Sequence, residues 1–477
     1  MNGVVEIMND QNDIINHGLN GEGSTGSVSF EEQQTLLTVK RNLDLSNNQN
    51  LMEQVASIRN LKVAFRRVKR NKGAPGIDKI TVKSFEQNLD VNLEEIHIKL
   101  LRQWFQPLPV RGVPIPKPDG GIRQLGIPAV HDRIVQQAIA QVLSPIIDPT
   151  FSKSSYGFRP KCSAIQAIKQ AREYVQEGRQ WVVDIDLEKF FDRVNHDVLM
   201  NRLAKHIQDK LLLKLIRKFL TAGLMQDGVC HVREEGAPQG GPLSPLLSNL
   251  LLDDLDKELE KRGHCFCRYA DDCNIYVQSE KAGRRVMASI TKFLTKRLKL
   301  KVNKSKSAVD TVKHRKFLGY RIQNNSMLSL APDSLKRVKD KIRILTKRNR
   351  GVSLERVIKD LNIMLRGWFH YFKWTNSASL FRSLDAWIRR RLRCFRLKQR
   401  KRKYATMTFL RAQGASQHSS WRLAGSDKGW WRKALNPVAH QALPKVYFKR
   451  LGLISLSELF DKHLAETAVC DIARTVV

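Results

Sequence analysis

Residues 265–277 read Cys-Phe-Cys-Arg-Tyr-Ala-Asp-Asp-Cys-Asn-Ile-Tyr-Val. Two runs rich in aromatic and apolar residues flank a short polar break, which predicts strands at Cys265–Tyr269 and Cys273–Val277 joined by a tight turn. Such a turn displays adjacent carboxylates, Asp271 and Asp272, at a hairpin tip. A second strand-like run lies upstream, at Trp181-Val-Val-Asp-Ile-Asp-Leu187. Strand alternation puts Trp181, Val183 and Ile185 on one face and Val182, Asp184 and Asp186 on the other. Just before it, Ser163 is placed as an N-cap, Ile165, Ile168, Arg172 and Val175 follow at helical spacing, and Gly178 is placed as the stop.

Carboxylates about 4 Å apart repel by about 4 kcal/mol at an effective dielectric near 20. A gathered set of acids therefore implies bound cations, shared protons or a basic partner. Oxygen-only donors favour magnesium. In nucleotidyl transfer two such ions lower the pKa of an attacking 3′-hydroxyl and neutralise charge on the leaving pyrophosphate, and carboxylates from two neighbouring strands suffice to hold them. A turn with two aspartates is by itself common, because Asp bonds its own backbone there.

The balance of charge narrows the class of partner. With 83 Lys and Arg against 46 Asp and Glu, the chain carries a formal +37, far beyond what solubility needs, so a polyanion is expected. Residues 331–450 hold 31 of those bases against six acids, which marks a nucleic-acid-binding module, whereas residues 1–50 carry only Lys40 and Arg41 against seven acids and look like a flexible leader. No run approaches the roughly 18 apolar residues of a spanning helix, and no signal-peptide pattern opens the chain. A soluble, intracellular protein that does not work at a membrane is expected. The seven cysteines lack paired C-x-x-C spacing, so neither a disulfide framework nor a zinc site is expected. At 477 residues with 42% apolar content, two or three cores are expected.

Tyr269-Ala-Asp-Asp272 resembles the catalytic hairpin of reverse transcriptases, and other blocks of that family stand in order around it. These are Arg133-Ile-Val-Gln-Gln-Ala-Ile139, Tyr156-Gly-Phe-Arg-Pro160, Asp186-Leu-Glu-Lys-Phe-Phe-Asp192, Ala237-Pro-Gln-Gly-Gly-Pro-Leu-Ser-Pro245 and Lys316-Phe-Leu-Gly-Tyr320. Asn71-Lys-Gly-Ala-Pro-Gly-Ile-Asp78, Ile115-Pro-Lys-Pro-Asp-Gly-Gly-Ile-Arg123 and Leu365-Arg-Gly-Trp-Phe-His-Tyr-Phe372 narrow the likeness to the group II intron-encoded branch. The resemblance implies an α+β right-hand polymerase, whose fingers and palm, with an antiparallel sheet, occupy 55–325. It implies an α-helical thumb and maturase domain at 330–415 and a small basic nucleic-acid-binding region at 416–477, all behind an acidic leader at 1–54.

The same resemblance assigns roles. Asp186, Asp271 and Asp272 are the expected catalytic ligands of two Mg2+ ions; Asp184, one step out on the same face, orients Asp186 or meets solvent. Phe191 matches the steric gate against a 2′-hydroxyl, with Phe190 as the core aromatic. Lys117 and Arg123 flank a turn that would clamp the triphosphate, and Gln239, Gly240 and Gly241 match the template-side motif. Lys306 matches a proton donor to pyrophosphate, in competition with Lys304 and Lys301. Phe317, Leu318, Gly319 and Tyr320 resemble the primer grip. Arg366, Arg389, Arg390, Arg391, Arg393, Lys401, Arg402 and Lys403 are the expected RNA contacts, since ten cations in residues 389–403 with no acid would repel strongly without an anion.

The implied work is to bind group II intron RNA, assist its splicing and copy it into target DNA, using an RNA template, a DNA primer and deoxynucleoside triphosphates. The terminal stretch resembles the forms that stop short of an HNH endonuclease. Two alternatives stay open: a free-standing reverse transcriptase serving defence or DNA repair, and an RNA-binding maturase that only splices.

Overall fold

The structure is a computed structural model that describes residues 50–116, 120–226 and 229–475, with side chains described as far as residue 467. Nearly all of the expected leader at 1–54 lies outside the described residues. Its last four residues do not belong to a leader. Leu51 and Met52 are buried in a short helix, α1 (Leu51–Ala56), and the Met52 amide donates to Asp209 at 2.7 Å. Six residues are too few to carry a periodic signal, which is why composition hid them.

Two compact units divide between Arg315 and Lys316, ahead of the boundary expected near 325. The first unit opens with α1, α2 (Ile58–Arg70), α3 (Val82–Gln87) and α4 (Leu89–Leu101). A four-stranded sheet follows, ordered β2-β1-β4-β5, from β1 (Val110–Pro116), β2 (Ile122–Ile127), β4 (Leu224–Gln226) and β5 (Val229–His231). The second sheet, ordered β6-β7-β3-β8, is antiparallel throughout and joins β3 (Trp181–Ile185), β6 (Cys265–Tyr269), β7 (Asp272–Val277) and β8 (Ala308–Thr311). This is the antiparallel palm sheet.

Helices pack around these sheets: α5 (Val130–Ile147), α6 (Ala164–Gln176), α7 (His196–His206), α8 (Lys210–Thr221), α9 (Ser244–Lys261) and α10 (Glu280–Arg297). The start of α6 follows from its sequence, because Ser163 and Gln166 form a reciprocal capping box, and Gly178 beyond its end takes a φ of +90°. Strand β3 lies between β7 and β8, so both of its edges are paired and Val182, Val183 and Ile185 are buried. Helix α10 crosses this sheet closely enough that a Cβ on Gly283 would meet Val309 at 2.5 Å. One hydrophobic core runs from Leu51 to Leu300.

The second unit opens with a two-stranded ribbon, β9 (Tyr320–Ile322) and β10 (Leu328–Leu330), and continues as helices. The longest are α11 (Pro332–Leu345), α12 (Leu354–Phe372) and α13 (Ala378–Gln399), followed by α14 (Lys403–Ala412), α15 (Gln417–Gly425), α16 (Trp430–Lys433), α17 (Pro437–Ala442), α18 (Lys445–Arg450) and α19 (Leu456–Thr475). Its core takes residues from Val338 through Phe409 to Phe460, so it runs across the expected boundary at 415. Among the described residues no helix is long and apolar enough to cross a membrane.

A single acid organises the end of this basic unit. Asp385, buried on α13, accepts from the Leu456 amide at 2.9 Å, the Ser457 amide at 3.0 Å and the hydroxyls of Ser455 and Ser457 at 2.8 Å. It thereby satisfies the orphan donors at the start of α19 and complements the positive end of that helix. Asp385→Ala should lower stability by about 1–3 kcal/mol and open α19 to protease, because four donors lose one partner. Urea unfolding and limited proteolysis of the full chain check this; unchanged midpoint and cleavage would contradict it.

Candidate active site

The register of the palm sheet builds the site. Strand β3 pairs with β7 from Trp181↔Val277 to Ile185↔Cys273, so the β3 end leads into Asp186 where the β6–β7 hairpin turns. The hairpin closes at Tyr269↔Asp272, leaving Ala270 and Asp271 as a two-residue loop. Ala270 takes a φ of +59°, a left-handed conformation that costs a non-glycine residue about 1 kcal/mol and is found preferentially at functional turns.

Asp186 is held through its main chain. Its carbonyl accepts from the Asn303 amide at 2.8 Å and the Ser307 hydroxyl at 3.2 Å, and its amide donates to that hydroxyl oxygen at 2.9 Å. The Glu188 amide adds a bond to the Lys301 carbonyl at 2.8 Å. Asp184 is paired with Arg315, whose Nε lies 2.9 Å from Oδ2, and the same guanidinium donates to the Lys306 carbonyl at 2.7 Å. Asp184 therefore fastens the 301–307 segment alongside Asp186.

Burial raises the Asp271 carboxyl above the usual range and the Asp186 charge raises it further, while a hydrogen bond from its own backbone amide, and then Arg123 and Arg268, partly offset them. The two carboxylates thus repel each other in a half-buried place, and a hard cation is the partner that removes the repulsion. Oxygen donors of this kind fit a divalent ion. The third expected ligand behaves differently: Asp272 is the first residue of β7 and is exposed. Among the described residues no group of three or more Asp, Glu, His or Cys stands together as a metal site. Asp186 is close enough to act on Asp271, and Asp272 follows as the exposed first residue of β7.

Around this pair, Arg123 is exposed on β2 and close enough to act on Asp271, whereas Lys117 lies outside the described residues. Phe190 is buried and Phe191 half-buried, their rings 5.1 Å apart edge to face. Gln239 accepts the Gly126 amide at 2.9 Å through its carbonyl. Gly240 has a φ of +117°, and a Cβ there would meet the Gly126 carbonyl at 2.8 Å, so protein backbone already requires this glycine. A Cβ on Gly241 would meet the end of the Gln136 side chain, 2.2 Å from its Oε1. Lys306, Lys304 and Lys301 are all exposed in the segment laid against Asp186.

Within the second unit, Phe317-Leu318-Gly319-Tyr320 forms a tight turn closed by mutual backbone bonds of 2.9 and 3.0 Å between its end residues. Leu318 and Gly319 both have positive φ, the pattern of a type I′ turn. The hydroxyl of Tyr371 donates to the Leu318 carbonyl at 2.8 Å, and a Cβ on Gly319 would lie 3.3 Å from Phe372. The Leu365–Phe372 motif thus supports this turn.

The basic residues of that unit separate into two kinds. Arg366, Lys401, Arg402 and Lys403 are exposed. Arg389 is half-buried; Arg390 stacks 3.7 Å from the Trp431 ring centre and donates to the Trp431 carbonyl at 3.1 Å; and Arg391 bonds Thr346 beside the Trp387 ring. Arg393 does not fit the expected RNA contact. It is buried and donates to the Leu443 carbonyl at 2.8 Å, and burial pulls its guanidinium down to about 10, with Arg389 adding to the shift. Four helical positions beyond Arg389, it falls on the core-facing side of α13 with Leu392 and Cys394.

The residues that sequence reasoning passed over lie behind the hairpin: Arg268, Asp256, Asn249, Ser155 and Gly157. A cation inside a strand otherwise made of apolar and cysteine residues was the one available signal, since its partners come from α9 and from the segment before α6.

Residues 115–322 match the family "Reverse transcriptase (RNA-dependent DNA polymerase)", and residues 335–414 match "Group II intron, maturase-specific domain". Protein YkfC of Escherichia coli (strain K12) is 33% identical over 315 residues, covering 57% of this chain and 83% of that protein. The putative COX1/OXI3 intron 2 protein of Saccharomyces cerevisiae is 34% identical over 239 residues, covering 50% of this chain and 28% of that protein. Group II intron-encoded protein LtrA of Lactococcus lactis subsp. cremoris is 37% identical over 199 residues, covering 41% of this chain and 32% of that protein. This chain therefore spans most of the first relative and a third or less of the other two. A reverse transcriptase domain depends on divalent metal, and both matched domains bind nucleic acid. The chain belongs to the reverse transcriptase family, in the group II intron-encoded branch that couples a polymerase to a maturase domain.

Proposed function

We propose that the chain is an RNA-directed DNA polymerase and intron maturase that copies an RNA template from a DNA primer with two Mg2+ ions. Asp186 and Asp271 hold the ions and Asp272 supports them from the edge of the turn. The observation that carries this reading is the β3–β7 register, which brings the end of β3, followed by Asp186, to the β6–β7 hairpin whose loop holds Asp271. When bound, the ions supply a lowered pKa at the primer 3′-hydroxyl and charge neutralisation at the leaving pyrophosphate. Arg123, with Lys117, draws the triphosphate toward the carboxylates. Phe191 packs against the sugar and excludes a 2′-hydroxyl. Gln239 and Gly240 border the template, and Lys306, or its neighbour Lys304, gives a proton to pyrophosphate. Phe317 to Tyr320 present a rigid turn to the primer.

The exposed cations of the second unit, Arg366, Lys401, Arg402 and Lys403 with Arg389, bind structured group II intron RNA and so serve splicing and insertion into target DNA. A free-standing role in defence or repair would keep the polymerase and lack that RNA, and a splicing-only protein would lack extension.

Asp271→Asn should abolish primer extension while circular dichroism stays unchanged, because one ligand charge is lost from a site that works only with its ions in place. Extension near wild type would remove Asp271 from the reaction. In filter binding of intron RNA across a salt series, Lys401, Arg402 and Lys403 all changed to Gln should lower the slope of log affinity against log salt by roughly 0.7 to 0.9 for each true phosphate contact. Arg393→Gln should instead leave the slope of the folded protein unchanged and lower its melting temperature. The opposite allocation would overturn the division of these cations.

A further inference from the structure

The guanidinium of Arg268 and the carboxylate of Asp256 are both 0% exposed and form a two-point ion pair, Nε to Oδ1 at 2.7 Å and Nη2 to Oδ2 at 2.6 Å. A buried pair of this kind is weak grounds for stability, since desolvation offsets its attraction and apolar side chains of equal volume often serve as well. What apolar side chains cannot do is aim hydrogen-bond donors. A guanidinium has five N–H groups, and here each has a partner. The remaining three reach Ser155 Oγ at 2.7 Å, Asn249 Oδ1 at 3.0 Å and the Ala270 carbonyl at 2.9 Å.

The last of these bonds falls on the left-handed residue of the hairpin loop, immediately before Asp271. The floor of that loop is tied to the same cluster. Asn249 Nδ2 donates to the Gly157 carbonyl at 2.8 Å, and Gly157 lies so close beneath the turn that a Cβ on it would stand 2.3 Å from the Ala270 nitrogen. Backbone bonds of 2.9 Å, Tyr156 amide to Arg268 carbonyl and Arg268 amide to Ser154 carbonyl, join this floor to β6. The turn is thus held from above by one arginine and from below by a glycine segment anchored through Asn249.

We propose that Arg268, locked by Asp256 and Asn249, is a positioning residue that fixes the Ala270 turn and thereby sets the Asp271 carboxylate at its working separation from Asp186. The proposal rests on the reading of these two aspartates as the metal-binding pair. It deepens that reading by naming what holds them in register. Loss of the guanidinium should appear in kcat and in the Mg2+ requirement, and not in nucleotide or template–primer affinity.

The test compares purified full-length wild type, Arg268→Met/Asp256→Leu, the same pair with Ala270→Gly, Arg268→Lys and Asp271→Asn in primer extension at saturating template–primer. Removing both charges avoids stranding one of them, and circular dichroism melting reports folding. The folded double variant should lose roughly 10- to 100-fold in kcat and need more Mg2+ for half-maximal rate, with KM for the deoxynucleotide changed by less than about threefold. Ala270→Gly should restore part of that loss, because glycine takes the left-handed conformation without strain; a purely structural role would gain nothing from it. Wild-type kcat and Mg2+ dependence in the folded double variant, or a loss that Ala270→Gly leaves untouched, would overturn the proposal. Should the double variant fail to fold, Arg268→Lys decides, since an ammonium keeps the charge but cannot serve all five bonds; unaltered kcat and Mg2+ dependence would then overturn it. Asp271→Asn separates the two readings: normal extension by it would defeat the metal assignment itself, whereas an inactive Asp271→Asn beside a normal Arg268 variant would defeat the positioning role alone.

Discussion

The antiparallel pairing of β3 with β7 is the constraint on which the site depends. It is a register and not merely a proximity, because slipping either strand by one residue would turn every side chain to the opposite face. With Ile185 opposite Cys273, the carboxylate that follows β3 and the one in the hairpin loop come to share a half-buried place where their charges act on each other. The neighbouring strand β8 and the 301–307 segment close the other side of β3, through Asp184 and Arg315 and through the backbone of Asp186. Asp186 is therefore held through its main chain, and the Asp271 carboxylate accepts from its own backbone amide.

Much of this was legible because it is local. The N-cap at Ser163 and the strand that starts at Trp181 each express a short-range rule, and the structure contains both, whereas the hairpin tip holds Ala270 and Asp271 and puts Asp272, expected at that tip, at the start of β7. The residues hidden from the sequence are those whose meaning arises only from contacts between distant segments. Nothing near Arg268 in the chain identifies Asp256 and Asn249 as its partners, and nothing near Gly240 or Gly241 shows that Gly126 and Gln136 occupy the space a side chain would need. Gly240 is explained by protein backbone before any nucleic acid is considered, whereas Gly241 faces the side chain of Gln136.

The basic module shows the same boundary between local and distant information. A run of ten cations reads as one electrostatic surface, yet its helix must turn one side to a core. Arg393 falls on that side and is consumed by the Leu443 carbonyl, Arg390 is stacked on Trp431, and only the exposed members remain to meet an anion. Asp385 is an acid within the same helix that the charge count treats as a minor offset. It caps the terminal helix, so the acid sets the architecture and the exposed cations set the binding.

The central claim is that Asp186 and Asp271 together form a divalent-cation site across the β3–β7 register. Its most direct test is electron paramagnetic resonance titration of Mn2+ into the full-length protein with template, chain-terminated primer and deoxynucleoside triphosphate, comparing wild type with Asp186→Asn. The account predicts tight Mn2+ binding by the wild-type complex and loss of that binding in the folded variant. Equal Mn2+ stoichiometry and affinity in the two proteins would contradict it.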